Sequence, residues 1–209
     1  MRKIISFFTL IILFSCQNTE NKFEEPSRNY KSTHPTEKIN EHKDNLNQEP
    51  IVEPITWKEI KIENFSFKLP EKFEYQSAYS TRNNKVYSNE ESAVTVLFDR
   101  LPQEKENSNV YEVIYDIEEY GRSVNQEQKK HFSDIQLIKS EKSKIGNNNS
   151  ILVSQKSTKI SGNNTTMLIQ AHYCIFSPYF ISITATYPLN SSDQKKIIEE
   201  VLNSFVFID

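Results

Sequence analysis

His172 and Cys174 stand two residues apart in a segment that alternates like a strand, so both side chains point to one face. At that spacing an imidazole and a thiolate can share a metal ion or act as a nucleophile pair. Leu168 and Phe176 share the face, which assigns the pair to packing beneath a helix, with Cys174 as a small hydrophobe. His131 closes a helical pattern, where a cation suits the helix dipole. His34 and His42 have no third ligand near them in sequence, so no metal site is read there. Glu112, Asp116, Glu118 and Glu119 gather on one side of the helical pattern, as solvated helix faces do. Tyr111, Tyr115, Tyr120, Tyr173, Tyr179 and Tyr187 could line a pocket or an interface, but tyrosine also fills half-buried sheets, and none is singled out. The chain has no Gly-rich phosphate loop, no zinc-spaced cluster, no nucleophile elbow and no framed carboxylate pair. The expectation is no catalytic residue, no metal and no cofactor: a protein that is not an enzyme.

The one residue expected to carry covalent chemistry is Cys16. Arg2 and Lys3 precede an apolar run, Ile4 to Phe14, broken only by Ser6 and Thr9, which has the anatomy of a secretory signal. A bilayer span needs about 20 residues, and this run is far shorter. It ends in Leu13-Phe14-Ser15-Cys16, which resembles the lipobox of bacterial lipoproteins; Phe14 departs from the small residue usual at its position. Polar sequence begins at once with Gln17-Asn18-Thr19-Glu20. Residues 1–15 are therefore read as a lipoprotein signal peptide, with Cys16 lipidated at the start of the mature chain. Several acyl chains on that residue would anchor it to a membrane.

Residues 16–51 form the next unit. They hold almost no large apolar side chains, too few to offset the entropy of ordering, and read as a disordered tether of roughly 30 Å r.m.s. span. Residues 52–209 have the length of one globular domain with its own core. The net charge of −3 is slight and both signs are interspersed, so neither a nucleic-acid surface nor an electrostatic membrane patch is expected. With Cys16 committed to lipid, Cys174 is the last thiol, which leaves no intramolecular disulfide.

The elements that must position these residues follow from periodicity. Glu63 to Leu69 alternates with Phe65, Phe67 and Leu69 on one side, a first strand. Phe73 to Tyr79 and Lys85 to Ser88 read as weaker strands, and Ala93 to Leu101 as a strong one covered on both faces. Asn109 with Glu112 is a capping box for an amphipathic helix over 109–131. Four strands follow, 136–145, 150–160, 165–176 and 179–187, with turns rich in Gly and Asn, which makes an antiparallel meander. Ser191 with Gln194 is a second capping box, opening a helix striped by Ile197, Ile198, Val201, Leu202 and Phe205. The class is α+β, a twisted antiparallel sheet with helices packed against it.

Phe65-Ser66-Phe67-Lys68-Leu69-Pro70, and Tyr179 to Pro188 followed by a short helix and Ser204-Phe205-Val206-Phe207, resemble the PsbP-like superfamily. That superfamily takes in the extrinsic photosystem II P-subunit, Mog-type Ran-binding proteins and bacterial lipoproteins of the DcrB kind. The resemblance runs over about residues 57–209 and implies an α/β/α sandwich serving as a binding or assembly accessory. It carries over no functional residue. A cystatin-like or NTF2-like curved sheet is the competing fold.

Together these readings describe a lipid-anchored protein of the cell envelope, on the outer membrane because Gln17 stands where an Asp would retain it at the inner one. Its expected role is a non-catalytic binding or assembly accessory for an envelope protein partner. The alternative is a small-ligand carrier or an unrecognised hydrolase. An accessory predicts an exposed aromatic or apolar patch, a carrier a deep pocket with convergent polar groups, and a plain spacer neither.

Overall fold

A hairpin opens the fold: β1 (Trp57–Ile62) turns at Glu63-Asn64 into β2 (Phe65–Pro70). Glu63 lies in the left-handed region (φ 49°), which makes the turn tight and ends β1 there, so the first expected strand begins at Phe65 and not at Glu63. The computed structural model describes residues 54–161 and 164–208. Cys16, His34, His42, the expected signal and the tether lie outside the described residues, as does part of the expected turn at 161–164.

Next come β3 (Glu74–Tyr75), a 3-10 turn (Ser77–Tyr79), β4 (Asn84–Ser88) and β5 (Ala93–Arg100). The strand expected over Phe73 to Tyr79 is thus only two residues long. The helix expected over 109–131 is two helices, α1 (Val110–Val113) and α2 (Ile117–Gln128). Asn109 and Glu112 do form the expected capping box, with Asn109 Oδ1 accepting the Tyr111 N–H and the Glu112 carboxylate accepting the Asn109 N–H. The break follows because Asp116 is itself an N-cap, accepting the Glu119 N–H at 2.9 Å. Apolar spacing runs through 114–116 unbroken and conceals that second start.

The meander appears as read, in β6 (Gln136–Ile145), β7 (Asn148–Ser157), β8 (Met167–Phe176) and β9 (Tyr179–Pro188). The β6–β7 turn needs Gly146: its φ is +52°, and a Cβ there would stand 2.3 Å from the Phe205 carbonyl oxygen. The chain closes with α3 (Ser192–Asn203) and β10 (Val206–Phe207).

Two antiparallel sheets result, where one was expected. β1-β2-β10 is small, and β3-β4-β5-β9-β8-β7-β6 is large. Register sorts the large sheet into two faces. On one, Val94, Val96 and Phe98 of β5 and Ile181, Ile183 and Ala185 of β9 meet α3 and the small sheet in an aromatic-rich core that includes Phe65, Phe67 and Phe205. On the other, Val110 of α1, its C-cap Ile114 and Val124 of α2 cover Ile151, Val153, Ala171 and Tyr173. Gly121 lets α2 approach β6 closely; a Cβ there would lie 2.5 Å from Ser140 Cβ. The fold is α+β with helices on both faces of a large antiparallel sheet, an α/β/α sandwich. A cystatin-like or NTF2-like sheet wrapped around one helix does not describe it.

Candidate functional site

His172 and Cys174 do share a face of β8, and that face is the aromatic-rich core. Cys174 is fully buried between Ser150 of β7 and Ile181 of β9, and His172 is buried between Leu152 and Ile183. Burial holds the His172 imidazole neutral, with its pKa lowered to about 4, and pushes the Cys174 thiol up to about 12. The polar neighbour of His172 is Ser150, whose Oγ lies 3.3 Å from Nδ1. A protonated thiol and a neutral, sequestered imidazole are structural groups, not a nucleophile pair. Among the described residues no three His, Cys, Asp or Glu side chains stand together to hold a metal ion.

Most of the remaining candidates are committed to the fold, His131 and Tyr115 excepted. His131 is exposed and lies past the end of α2 at Gln128, so it does not close that helix; Lys129 is the C-cap residue. Asp116 and Glu112 cap helices, while Glu118 and Glu119 pair with Arg122 at 3.5 and 3.1 Å. Tyr111 donates to the carbonyls of Ser143 and Ser150 beneath Lys142, Tyr120 meets Tyr173 edge to face at 5.1 Å, and Tyr187 donates to Gln170 Oε1 at 2.9 Å. Tyr115, at 74% exposure, is the most accessible large apolar or aromatic side chain among the described residues.

The sequence reading passed over Asp134. Burial alone would raise its pKa, but hydrogen bonds from the Ser157 and Thr158 hydroxyls and the Thr158 and Lys159 amides outweigh that and hold it at about 2. Four donors on one carboxylate make it the tie between the chain entering β6 and the end of β7.

Accessible space lies at one end of the large sheet, where three distant segments converge. The β4–β5 turn (88–93), the chain entering β8 (161 and 164–167) and the β9–α3 turn (188–191) line an opening of about 660 Å³. A second opening of about 580 Å³ shares residues 88–91 and adds Lys72, Glu74 and Gln76. The rim is rigidly held. Asn89 Oδ1 accepts the N–H groups of Glu91 and Ser92 at 2.9 and 2.7 Å. Gln194, at the start of α3, accepts from Ser92 Oγ at 2.9 Å and donates to Glu91 Oε2 at 2.6 Å. This corrects the second expected capping box. Ser191 Oγ does accept the Gln194 N–H, but the Gln194 side chain turns inward to Ser92 and Glu91 instead of reaching back. Most residues lining the two openings carry hydroxyls, amides or carboxylates, which suits recognition by hydrogen bonding, and the described lining supplies no nucleophile–base pair. Sequence marks 88–93 only as a turn, and nothing in it predicts that three turns meet.

No family model and no curated protein matches the chain. Solved structures do. The solution structure of cyanobacterial PsbP (CyanoP) from Synechocystis sp. PCC 6803 is 15% identical, with a TM-score of 0.50 over 78% of this chain and 98% of that one. The Saccharomyces cerevisiae Ran-binding protein Mog1p is 10% identical at a TM-score of 0.46, covering 75% and 97%. LpqN, described as involved in cell envelope biogenesis of Mycobacterium tuberculosis, is 9% identical at 0.46, covering 74% and 92%. The likeness to cyanobacterial PsbP shows the fold, as the resemblance implied. No helix among the described residues is long and apolar enough to cross a membrane.

Proposed function

We propose that the chain is an envelope lipoprotein, held at the outer membrane through lipid on Cys16, that acts as a non-catalytic binding or assembly accessory for an envelope protein. One observation carries the non-catalytic part: the side chains with chemical reach, His172 and Cys174, are locked neutral in the core, while the accessible openings are rims of hydrogen-bonding turns on a rigid sheet. Turns positioned by a scaffold are a common way to present a recognition surface. The anchoring part rests on the N-terminal sequence alone.

The carrier alternative has one point in its favour, an opening within the size range of ligand sites. Its lining comes from polar turn residues, with Ala93, Met167 and Pro188 as its apolar members and no large aromatic wall.

Two measurements test the proposal. Fatty-acid labelling is expected in the wild type and absent in Cys16→Ala; label retained in the variant overturns the anchor. Native mass spectrometry of the protein extracted from its own membranes is expected to show added protein mass. Added small-molecule mass would transfer the reading to the carrier, and lipid mass alone would leave a spacer.

A further inference from the structure

β6 stands at one end of the large sheet, with β7 on one side and no strand on the other. Beyond its ladder with β7, no backbone–backbone hydrogen bond involves Gln136 to Ile145 among the described residues. The remaining edge strands are shorter: β3 and β10 have two residues each and β1 has six, against ten in β6. Past a register shift between Leu137 and Lys139 the strand runs evenly to Ile145, over roughly 23 Å. Alternate residues of such an edge turn both N–H and C=O outward, which makes it a template for another strand.

This edge is open: Gln136, Ile138, Lys139, Glu141, Lys142 and Lys144 are exposed, and α2 packs on one face of the strand, with Gly121 against Ser140. The Tyr111 hydroxyl donates to the carbonyls of Ser143 on β6 and Ser150 on β7, so it lies over the seam between them and not at the outer edge. The strand carries three lysines and one glutamate. Lys139 and Glu141 pair with each other at 2.6 Å. Lys142 lies over the Tyr111 ring at 4.9 Å, and among the described residues neither it nor Lys144 forms an ion pair. Acids on α2 are already paired, Glu118 and Glu119 with Arg122 and Glu127 with Lys130.

A second copy of β6 laid along this edge would set like charge against like, whereas a strand bearing carboxylates would answer the two unpaired lysines. We propose that the outer edge of β6 takes an extended acidic segment of a partner protein as an added strand. Backbone hydrogen bonds supply the affinity, and carboxylates beside Lys142 and Lys144 supply the selection. The lysines that keep two copies of the sheet apart are then the ones that choose the partner. The inference rests on the binding-accessory reading for there being a partner protein, and it uses none of the residues that line the sheet-end openings.

The test titrates the full chain with a capped peptide of alternating Glu and Val, with its Lys and Val counterpart, and with the Glu and Val peptide N-methylated at alternate amides, which keeps the charge and blocks strand pairing. The first is expected to bind, more weakly as salt is raised, and to slow amide exchange within 139–145. Its Lys counterpart is expected not to bind, and the N-methylated form to bind at least about tenfold more weakly. Lys142→Glu together with Lys144→Glu, both at exposed positions, is expected to weaken binding by at least about tenfold with the melting temperature unchanged. Equal binding by the double variant, equal binding of the N-methylated peptide, or protection outside 139–145 overturns the proposal. Native mass spectrometry separates this inference from the accessory reading. Added protein mass that persists in the double variant overturns the edge and keeps the accessory, while a wild type that binds the peptide as expected but carries no added protein mass keeps the edge and removes the accessory.

Discussion

Val94, Val96 and Phe98 point to one side of β5, and Ala93, Thr95 and Leu97 to the other. The first set meets Phe65, Phe67 and Phe205, with Phe67 stacked on Phe205 at 4.4 Å and set edge-on to Tyr87 at 6.0 Å. The second set, with Thr184 and Ser182 across from it, offers hydroxyls and methyls and no aromatic ring. The larger core cluster lies on the aromatic side, and the side of small residues is buried without an aromatic ring of its own on β5. One strand thus carries two kinds of information in alternate residues.

The comparison breaks if the aromatic side is not the stronger. Phe67→Ala is expected to cost about 3 to 5 kcal/mol by denaturant unfolding, the price of an emptied core site that cannot collapse. A loss under about 1 kcal/mol would dissolve the contrast.

The next largest effect belongs to His172, on the aromatic side. Its folded pKa, about 4, lies below the ordinary 6.5, so between these values the unfolded chain binds a proton that the native one refuses. Stability is complete above about pH 6.5 and falls as pH drops toward 4, by up to about 3 kcal/mol. His172→Leu is expected to flatten that slope. An unfolding curve whose pH dependence is the same in both proteins would place the titration elsewhere.

Smaller effects sharpen the other side. Gly121→Ala adds a methyl where Ser140 Cβ already stands, and is expected to cost about 1 to 2 kcal/mol although alanine favours helices. Smallest is Gln128→Leu, which removes two orphaned buried polar atoms and is expected to leave stability within about 1 kcal/mol of wild type, or above it. A loss of several kcal/mol there would mean that the amide is satisfied within the fold.

Much of this was legible before any coordinates. The β6–β9 meander shows in alternation and in turns whose residues tolerate positive φ, and burial of His172 and Cys174 follows from the apolar company of Leu168 and Phe176. β1 was missed because Lys58, Glu59 and Lys61 interrupt its pattern, leaving Ile60 and Ile62 as the inward signal. The break between α1 and α2 was missed because Asp116 caps a helix inside an unbroken apolar period. The sheet-end openings could not be read at all. They are assembled from turns about a hundred residues apart, and the contact that joins two of them, Gln194 to Ser92, looks in sequence like half of a local cap.

The Lys68 backbone N–H donates to Ser204 Oγ, Phe207 pairs with Phe65, and the Ile208 N–H donates to the Asn64 carbonyl. A chain made from its N-terminus therefore presents Phe65 and Phe67 long before Phe205 exists to stack on them. The core stays unfinished until Phe205 and β10 have been delivered, so a nascent chain is kept from locking shut too early.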